Sequence, residues 1–244
     1  MIKILIIIPA RFKSSRFPGK PLADILGKPM VIRVAEIAKK VKISNKVIIA
    51  TDSKKIASVC KQYNYEFVMT SKKCLTGTDR LSEVARKIKA EMYINLQGDE
   101  PIVSPKDIEK VIKSKIKNKK FIICGYTKIR KDEKSSDNSI PKVVFNKKKE
   151  LIYLSRAPIP GSKGRHNFYF KQVCIYAFNR GELVKFSETG RKSYIENIED
   201  IELLRYFDLN KKIKMVQVSG NSIAVDFPKD IKKVENILKK RKKK

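Results

Sequence analysis

A loop that follows the first apolar run of the chain, residues 9–20, carries four cations: Arg11, Lys13, Arg16 and Lys20. Arginine offers a planar fork for phosphate oxygens and lysine a mobile point charge, while Gly19 permits close approach of the backbone. The loop lacks the GxxxxGK[ST] and GxGxxG patterns of other nucleotide-binding loops. We predict that this phosphate loop (residues 9–20) holds a polyphosphate. An ordinary basic surface loop is the alternative, which the position after a buried strand disfavours.

A second polar segment, residues 97–101 (QGDEP), follows the apolar run 92–96. Asp99 in this segment is placed to hold Mg²⁺, which takes one or two carboxylates together with substrate phosphates. A partner carboxylate has to come from elsewhere, and Asp226, just before a predicted C-terminal helix, is the best candidate. Taken alone, Asp226 is more typical of a helix N-cap or a turn. Together the two aspartates predict a magnesium site.

The elements that must position these loops alternate between strand and helix. Short apolar runs predict strands and helical periodicity predicts helices; the strands are residues 2–8, 46–50, 66–69 and 92–96, and the helices lie around 31–41, 53–62, 81–88 and 108–112. This alternation predicts an α/β sandwich with right-handed crossovers. Ligands of such folds bind beyond the carboxyl ends of the strands. The loops after Ile8, Ala50 and Leu96 are therefore expected at the site.

The second half of the chain changes pattern. Strands without clear crossover helices are predicted at residues 121–127, 142–145, 151–155 and 173–178. We expect an antiparallel flap at about 121–180, used for dimer contact, within a single domain of residues 1–244. A helix follows with Ile195, Ile198, Ile201, Leu203 and Leu204 on one side and Glu196, Glu199 and Glu202 opposite. A strand at 214–218 and a helix from 228 to about 239 complete the chain.

Composition excludes several classes of protein. The four cysteines are far apart and the single histidine, His166, sits in a polar stretch, which disfavours zinc ribbons, CxxC redox pairs and Ser/His/Asp triads. The net charge of +31 suggests nucleic acid, but lysine greatly outnumbers arginine and is scattered. A lysine-rich solvated surface explains it better. No apolar run is long enough to cross a membrane, so we expect a cytoplasmic protein without nucleic-acid or membrane partners.

The motifs together resemble one family. The phosphate loop with PAR and PGKPL, the QGDEP turn, the TGTDR segment at 76–80, the SRAPIP segment at 155–160 and the late Val225-Asp226 pair occur in the order found in 3-deoxy-manno-octulosonate (KDO) cytidylyltransferases. The phosphate loop alone would indicate only sugar nucleotidyltransferases. The resemblance implies a Rossmann-like, glycosyltransferase-A-like fold with a mixed, mainly parallel sheet flanked by helices. It also implies a homodimer and a Mg²⁺-dependent transfer of CMP from CTP to KDO for lipopolysaccharide synthesis.

The resemblance also implies roles for individual residues. Phosphate handling and catalysis fall to Arg11, Arg16, Lys20 and Asp99. CTP binding falls to Pro9, Ala10, Ser14, Thr78, Arg80 and Gln97. Contacts to the sugar acid fall to Arg156, Gln172, Tyr176 and Glu202. Asp99 and Asp226 correspond to the family's magnesium ligands.

Two positions depart from the family pattern. Gln172 stands where histidine is common, and Leu203 stands where glutamine is common. Both are expected in the sugar pocket, so activation of a related acid, such as an amino-substituted KDO or another nonulosonate, is the alternative within enzymes. A nucleic-acid-binding protein is the alternative outside enzymes, and only the net charge supports it.

Overall fold

The structure is a computed structural model that describes residues 3–14, 16–164 and 168–242, so His166 lies outside the described residues. Its first half alternates strand and helix as predicted. The elements are β1 (Ile4–Ala10), α1 (Met30–Lys39), β2 (Lys46–Thr51), α2 (Lys54–Gln62), β3 (Phe67–Met69), α3 (Gly77–Lys87), β4 (Met92–Leu96) and α4 (Pro105–Lys117). One turn of 3-10 helix, Lys20–Leu22, ends the phosphate loop.

The second half adds five strands and four helices to the described part of the chain. They are β5 (Ile122–Lys128), β6 (Lys142–Phe145), β7 (Leu151–Ser155), β8 (Phe170–Phe178), α5 (Arg180–Glu188), α6 (Tyr194–Glu199), α7 (Arg205–Asp208), β9 (Ile213–Gln217) and α8 (Pro228–Lys242). A 3-10 turn, Glu202–Leu204, lies between α6 and α7. Helix α5 was not predicted, because its few buried residues make a weak helical pattern.

The sheet is mixed and mainly parallel, as expected. Its strand order is β3-β2-β1-β4-β8-β5-β9. β8 runs antiparallel to β4 and β5, while the remaining strands of this path share one direction. Their carboxyl ends therefore meet at one edge, where α/β folds bind ligands. β1 is central and buried on both faces, which explains its unbroken apolar sequence.

The antiparallel extension is smaller than predicted. β5 and β8 belong to the main sheet, and the β6–β7 hairpin leaves it, attached where Lys142 pairs with Lys171. Both β5 and β8 are buried along most of their length, as central strands are. The prediction that groups them with the hairpin follows from the sequence between β5 and β8, which shows no helical periodicity typical of a crossover.

The hydrophobic core lies on both faces of the sheet. On one face β1 packs against α1, α2 and α4, through residues such as Ile6, Val34 and Ile108. On the other face α3, α5 and α7 cover the sheet, through residues such as Leu81 and Phe186. A smaller cluster joins α8 to the loops at the carboxyl edge. It brings together Ile25, Met30, Ile102, Val225 and Val234.

The prediction of an acidic helix is wrong about the length of the helix and about which of its side chains are buried. The helix breaks after α6, where Asp200 adopts a left-handed conformation with φ 48°. Ile198 is 64% exposed, whereas Glu196 is completely buried. The reason is an ion pair: Glu196 Oε2 lies 2.6 Å from Nε of the equally buried Arg205. Because Glu196 pairs with this buried guanidinium, it lies in the core, although the helical periodicity of the sequence predicts that it faces solvent.

Candidate active site

A large cavity of about 1360 Å³ opens at the carboxyl edge of the sheet. Its walls are formed by the phosphate loop, the QGDEP segment, the loops 129–141 and 218–227, and the amino end of β8. Thus motifs that are far apart in sequence surround one space. The predicted residues lining it are Pro9, Ala10, Arg11, Ser14, Arg16, Lys20, Arg80, Gln97, Asp99, Arg156, Gln172, Tyr176, Glu202 and Asp226.

Close backbone packing holds the phosphate loop against the QGDEP segment. Gly19 adopts φ 72° and its amide donates to the carbonyl of Phe12, which turns the loop back on itself. A β-carbon on Gly98 would lie 3.0 Å from the Pro9 carbonyl oxygen, so any larger residue would require the two segments to move apart by a few tenths of an ångström. Lys13, one of the four cations, is exposed and lies outside the cavity lining.

The two predicted metal ligands share one cation, Lys20. Lys20 Nζ lies 2.6 Å from Asp99 Oδ2 and 3.8 Å from Asp226 Oδ1. An Arg16 guanidinium nitrogen lies 2.9 Å from the same Asp226 oxygen. The amide of Val225 donates to the carbonyl of Asp99, and this bond brings the C-terminal segment to the end of β4. The structure therefore places Asp99 and Asp226 beside the same ammonium group, and their binding of a metal stays a prediction.

Asp226 does not cap a helix. Asp230 accepts hydrogen bonds from the amides of Asp226 and Phe227 at the start of α8, which leaves the Asp226 carboxylate on the cavity wall. Burial, and then the negative charge of Asp99, raise the pKa of Asp226. Two carboxylates held this close repel each other, so the arrangement favours a cation between them.

The donor set suits a hard divalent cation that also binds phosphate. Lys20 Nζ shows that a positive charge fits against both Asp99 and Asp226. Among the described residues there is no cluster of three or more histidine, cysteine, aspartate or glutamate side chains able to hold a metal. Mg²⁺ uses one or two carboxylates and completes its shell with water and substrate phosphates. The residues present therefore fit Mg²⁺ better than a fully protein-ligated metal.

Gln97, expected near CTP, and Glu202, expected near the sugar acid, touch each other. The Glu202 carboxylate accepts hydrogen bonds from Gln97 Nε2 at 3.2 Å and from the Thr78 amide at 2.9 Å. Asn95 Nδ2 lies 3.4 Å from the same group. Burial raises the pKa of Glu202, and the Thr78 amide opposes this rise. The carboxylate thus joins the start of α3 to the end of β4.

The TGTDR segment differs in part from its predicted role. Thr78 is completely buried beneath the cavity, so its side chain does not line it, although its backbone amide binds Glu202. Arg80 does line the cavity but is only 3% exposed, and its guanidinium binds Asp52 and Thr70. The Thr78 side chain therefore does not reach the cavity, because it is buried in the first turn of α3.

Residues predicted to contact the sugar acid line the cavity from β8 and from the end of β7. Gln172 Nε2 donates to the Tyr176 hydroxyl at 3.1 Å, and both side chains line the cavity on β8. Arg156 also lines it, but its guanidinium donates to the main-chain carbonyls of Asn138, Glu199 and Asp200. Arg156 therefore fastens the end of β7 to α6.

Leu203 is not part of the sugar pocket. It is completely buried and packs in the core on the α3 face of the sheet. The 3-10 turn at Glu202–Leu204 directs Glu202 to the cavity and the next residue to the core. Of the two departures from the family pattern, Gln172 alone lies where it can contact an acceptor.

Glu100 and Ser222 are among the polar residues on the cavity wall that the sequence did not lead us to expect there. Glu100 follows Asp99 and is 6% exposed, and burial raises the pKa of its carboxyl to about 7. Ser222 lines the same wall from the loop after β9. The position of Glu100 beside a predicted metal ligand was an available signal. Nothing in the sequence distinguishes Ser222 from other loop serines.

Comparison with known proteins agrees with this geometry. A family model described as cytidylyltransferase matches residues 5–213. The chain is 36% identical to the 3-deoxy-manno-octulosonate cytidylyltransferase of Escherichia coli, over 98% of this chain and 97% of the relative. It is also 36% identical to the enzyme of that name from Geotalea uraniireducens (strain Rf4), over 98% of this chain and all of the relative.

A solved structure of CMP:2-keto-3-deoxy-manno-octonic acid synthetase complexed with CTP superposes with a TM-score of 0.91. It is 36% identical, and the match covers 98% of this chain and 99% of that one. No helix in the described residues is both long and apolar enough to span a bilayer. By motif order, site geometry and full-length similarity, the chain belongs to the 3-deoxy-manno-octulosonate cytidylyltransferase family.

Proposed function

We propose that the chain transfers CMP from CTP to the anomeric hydroxyl of KDO and releases pyrophosphate, forming CMP-KDO. The observation that carries the proposal is the meeting of the phosphate loop, Asp99 and Asp226 in one cavity of a chain with this family membership. It is a CTP-dependent nucleotidyltransferase, and the acceptor comes from the names of its relatives.

In this reaction the anomeric hydroxyl loses its proton to water and its oxygen attacks the α-phosphorus of CTP. The bond between the α-phosphorus and the oxygen bridging to the β-phosphate breaks, and pyrophosphate leaves. Such transfers depend on positioning and on stabilising charge. Arg11, Arg16 and Lys20 line the cavity where they can neutralise the leaving pyrophosphate. Lys20 exchanges Asp99 for phosphate oxygens when CTP binds, since its ammonium can pair with either.

We also propose that the reaction requires Mg²⁺. Asp99 and Asp226 would hold Mg²⁺, which when bound lowers the pKa of the acceptor hydroxyl and neutralises charge on the α-phosphate. The two carboxylates fix the position of this charge relative to the phosphate loop. They lie on different segments, and the hydrogen bond between Val225 and Asp99 keeps them in register.

The test mixes purified protein, CTP, Mg²⁺ and KDO and follows pyrophosphate release. Release that requires all three additions is expected. Parallel reactions replace KDO with an amino-substituted KDO or another 2-keto sugar acid. Release with one of these and none with KDO would overturn the acceptor while leaving the cytidylyl transfer intact.

One observation favours the alternative acceptor, an amino-substituted KDO or another nonulosonate. The Gln172 carboxamide lines the cavity from β8. Gln172 donates a hydrogen bond to Tyr176 and presents no positive charge there. The homodimer stays a prediction from the resemblance, and the cytoplasmic location stays a prediction from the lack of a long apolar run in the sequence. Sedimentation of the purified protein checks the first, and cell fractionation checks the second.

A further inference from the structure

Two buried polar atoms on the cavity wall meet no hydrogen-bond partner among the described residues. They are Glu100 Oε2 and Ser222 Oγ. The two side chains are neighbours, and the hydroxyl approaches the carboxyl without reaching hydrogen-bonding geometry with Oε2. Buried polar atoms are almost always hydrogen-bonded in folded proteins. The pair therefore marks a place where a bound group completes the bonding.

Glu100 follows Asp99 in the QGDEP segment and also lines the cavity. The Asp99 carboxylate contacts Lys20 of the phosphate loop at 2.6 Å. Glu100 is close enough to Asp99 and Asp226, and also to Lys171 and Cys174 of β8, for electrostatic effects between them. Lys171 and Cys174 flank Gln172 on the cavity wall. Glu100 thus lies between the two predicted metal ligands and the wall that carries Gln172.

The unpartnered atoms narrow the chemistry of the group that can bind. Glu100 Oε2 is a carboxyl oxygen without a hydrogen-bond partner, so it can accept a hydrogen bond from a bound group. A hydrogen-bond donor is favoured. Lys171, the cation beside Glu100, is already paired with Glu133. A neutral hydroxyl can donate to Glu100 and accept from Ser222, which satisfies both atoms at once.

We propose that Glu100 and Ser222 bind a hydroxyl group of the sugar-acid acceptor and so help to select it. This inference rests on the proposed function, since it requires a polyhydroxylated acceptor. No bond is made or broken at this subsite. Its contribution is to acceptor binding, separate from the metal-binding role of Asp99.

The experiment compares Glu100→Gln, Glu100→Leu and Ser222→Ala with the wild type in the pyrophosphate assay. Glu100→Leu should raise the KM for the acceptor by about ten- to a hundredfold, the range expected for a lost hydrogen bond to a carboxylate. Glu100→Gln keeps an acceptor oxygen and should lose less. Ser222→Ala should raise this KM by about fivefold. Glu188→Gln, an exposed glutamate outside the cavity, is the matched control.

CTP binding is measured separately by calorimetry without acceptor, and should change by less than about twofold in each variant. Acceptors that each lack one hydroxyl identify the bound group. One of these acceptors should bind the wild type more weakly than KDO does. Glu100→Leu should not weaken the binding of that acceptor further, because removing either partner of a hydrogen bond removes the same interaction. That result would establish the contact.

Three results would overturn the inference. The first is a weaker affinity for CTP with an unchanged acceptor KM, and the second is a fall in kcat alone, which would mean that Glu100 acts through Asp99. The third is an unchanged acceptor KM in all three variants. If Glu100→Leu does not fold, Glu100→Gln and Ser222→Ala still decide. Failure of the proposed function can be told apart from failure of this inference, because the wild type would then release no pyrophosphate with KDO.

Discussion

Lys20 Nζ lies 2.6 Å from Asp99 Oδ2, so the phosphate loop and the predicted metal ligand are in direct contact. The same ammonium is 3.8 Å from Asp226. One lysine therefore occupies the position of positive charge between two carboxylates that are far apart in sequence. Its removal should affect both the binding of the triphosphate and the stability of the carboxylate pair.

Lys20→Met should raise the KM for CTP by about ten- to a hundredfold, because a charge-assisted contact to phosphate is lost. Without Lys20 the carboxylates repel each other, so added Mg²⁺ should raise the melting temperature of this variant more than that of the wild type. Calorimetric melting with and without Mg²⁺ measures this difference. Lys28→Met, which removes a partly exposed ion pair with Glu36, is the control. Equal shifts in both variants would contradict the prediction.

Asp99→Asn and Asp226→Asn should each lower kcat by about 10²- to 10³-fold, the size of effect seen when one electrostatic contact to a transition state is removed. Chelation of Mg²⁺ should abolish turnover in the wild type. Stopped-time assays of pyrophosphate release over a Mg²⁺ titration provide the measurement. Asp208→Asn, at an exposed aspartate outside the cavity, should be neutral. Wild-type turnover in Asp99→Asn would remove the metal assignment.

Gly98→Ala should reduce turnover by about tenfold or more while leaving most of the stability intact. The added β-carbon would lie 3.0 Å from the Pro9 carbonyl oxygen and would push the phosphate loop away from Asp99. Small displacements of positioned groups are costly in catalysis. Gly161→Ala is the control, because a β-carbon there meets no atom within 4 Å. Comparable kinetics for the two variants would show that this contact does not set the loop position.

Arg205→Met should lower the free energy of unfolding by about 3–5 kcal/mol, since it leaves the carboxylates of Glu196 and Asp79 without their buried partner. Urea denaturation measures the change. Lys46→Met, at the exposed ion pair with Glu66, should cost at most about 1 kcal/mol. A loss of stability in Arg205→Met no larger than in the control would show that the buried pair is replaceable.

Gln172 and Leu203 should respond differently to substitution. Gln172→His changes a side chain on the cavity wall, so the KM for the acceptor should change severalfold while that for CTP stays constant. Leu203→Gln places an amide in the core, where burial without a partner costs about 1–3 kcal/mol, and acceptor preference should not change. Acceptor kinetics and thermal melting separate the two effects. A changed acceptor preference in Leu203→Gln would restore its place in the pocket.

Local patterns were sufficient for the elements of the first half. The apolar run of β1 and the helical spacing of α1 are properties of short segments, and their positions match the prediction within a few residues. The pairing of Asp99 with Asp226 was also predicted, from the position of Asp226 just before the last helix and from the match of both residues to the family's magnesium ligands. The sequence itself therefore determined the strand and helix alternation, the phosphate loop and the family.

Only the tertiary structure decided which side of each segment faces the cavity. Thr78 and Leu203 sit in motif segments but point into the core, whereas the buried Glu196 lies where the pattern predicts solvent. The join between Gln97 and Glu202, and the neighbouring positions of Glu100 and Ser222, depend on contacts between distant segments. A one-dimensional pattern records local periodicity, but burial and pairing are set by the packing of segments that the sequence separates.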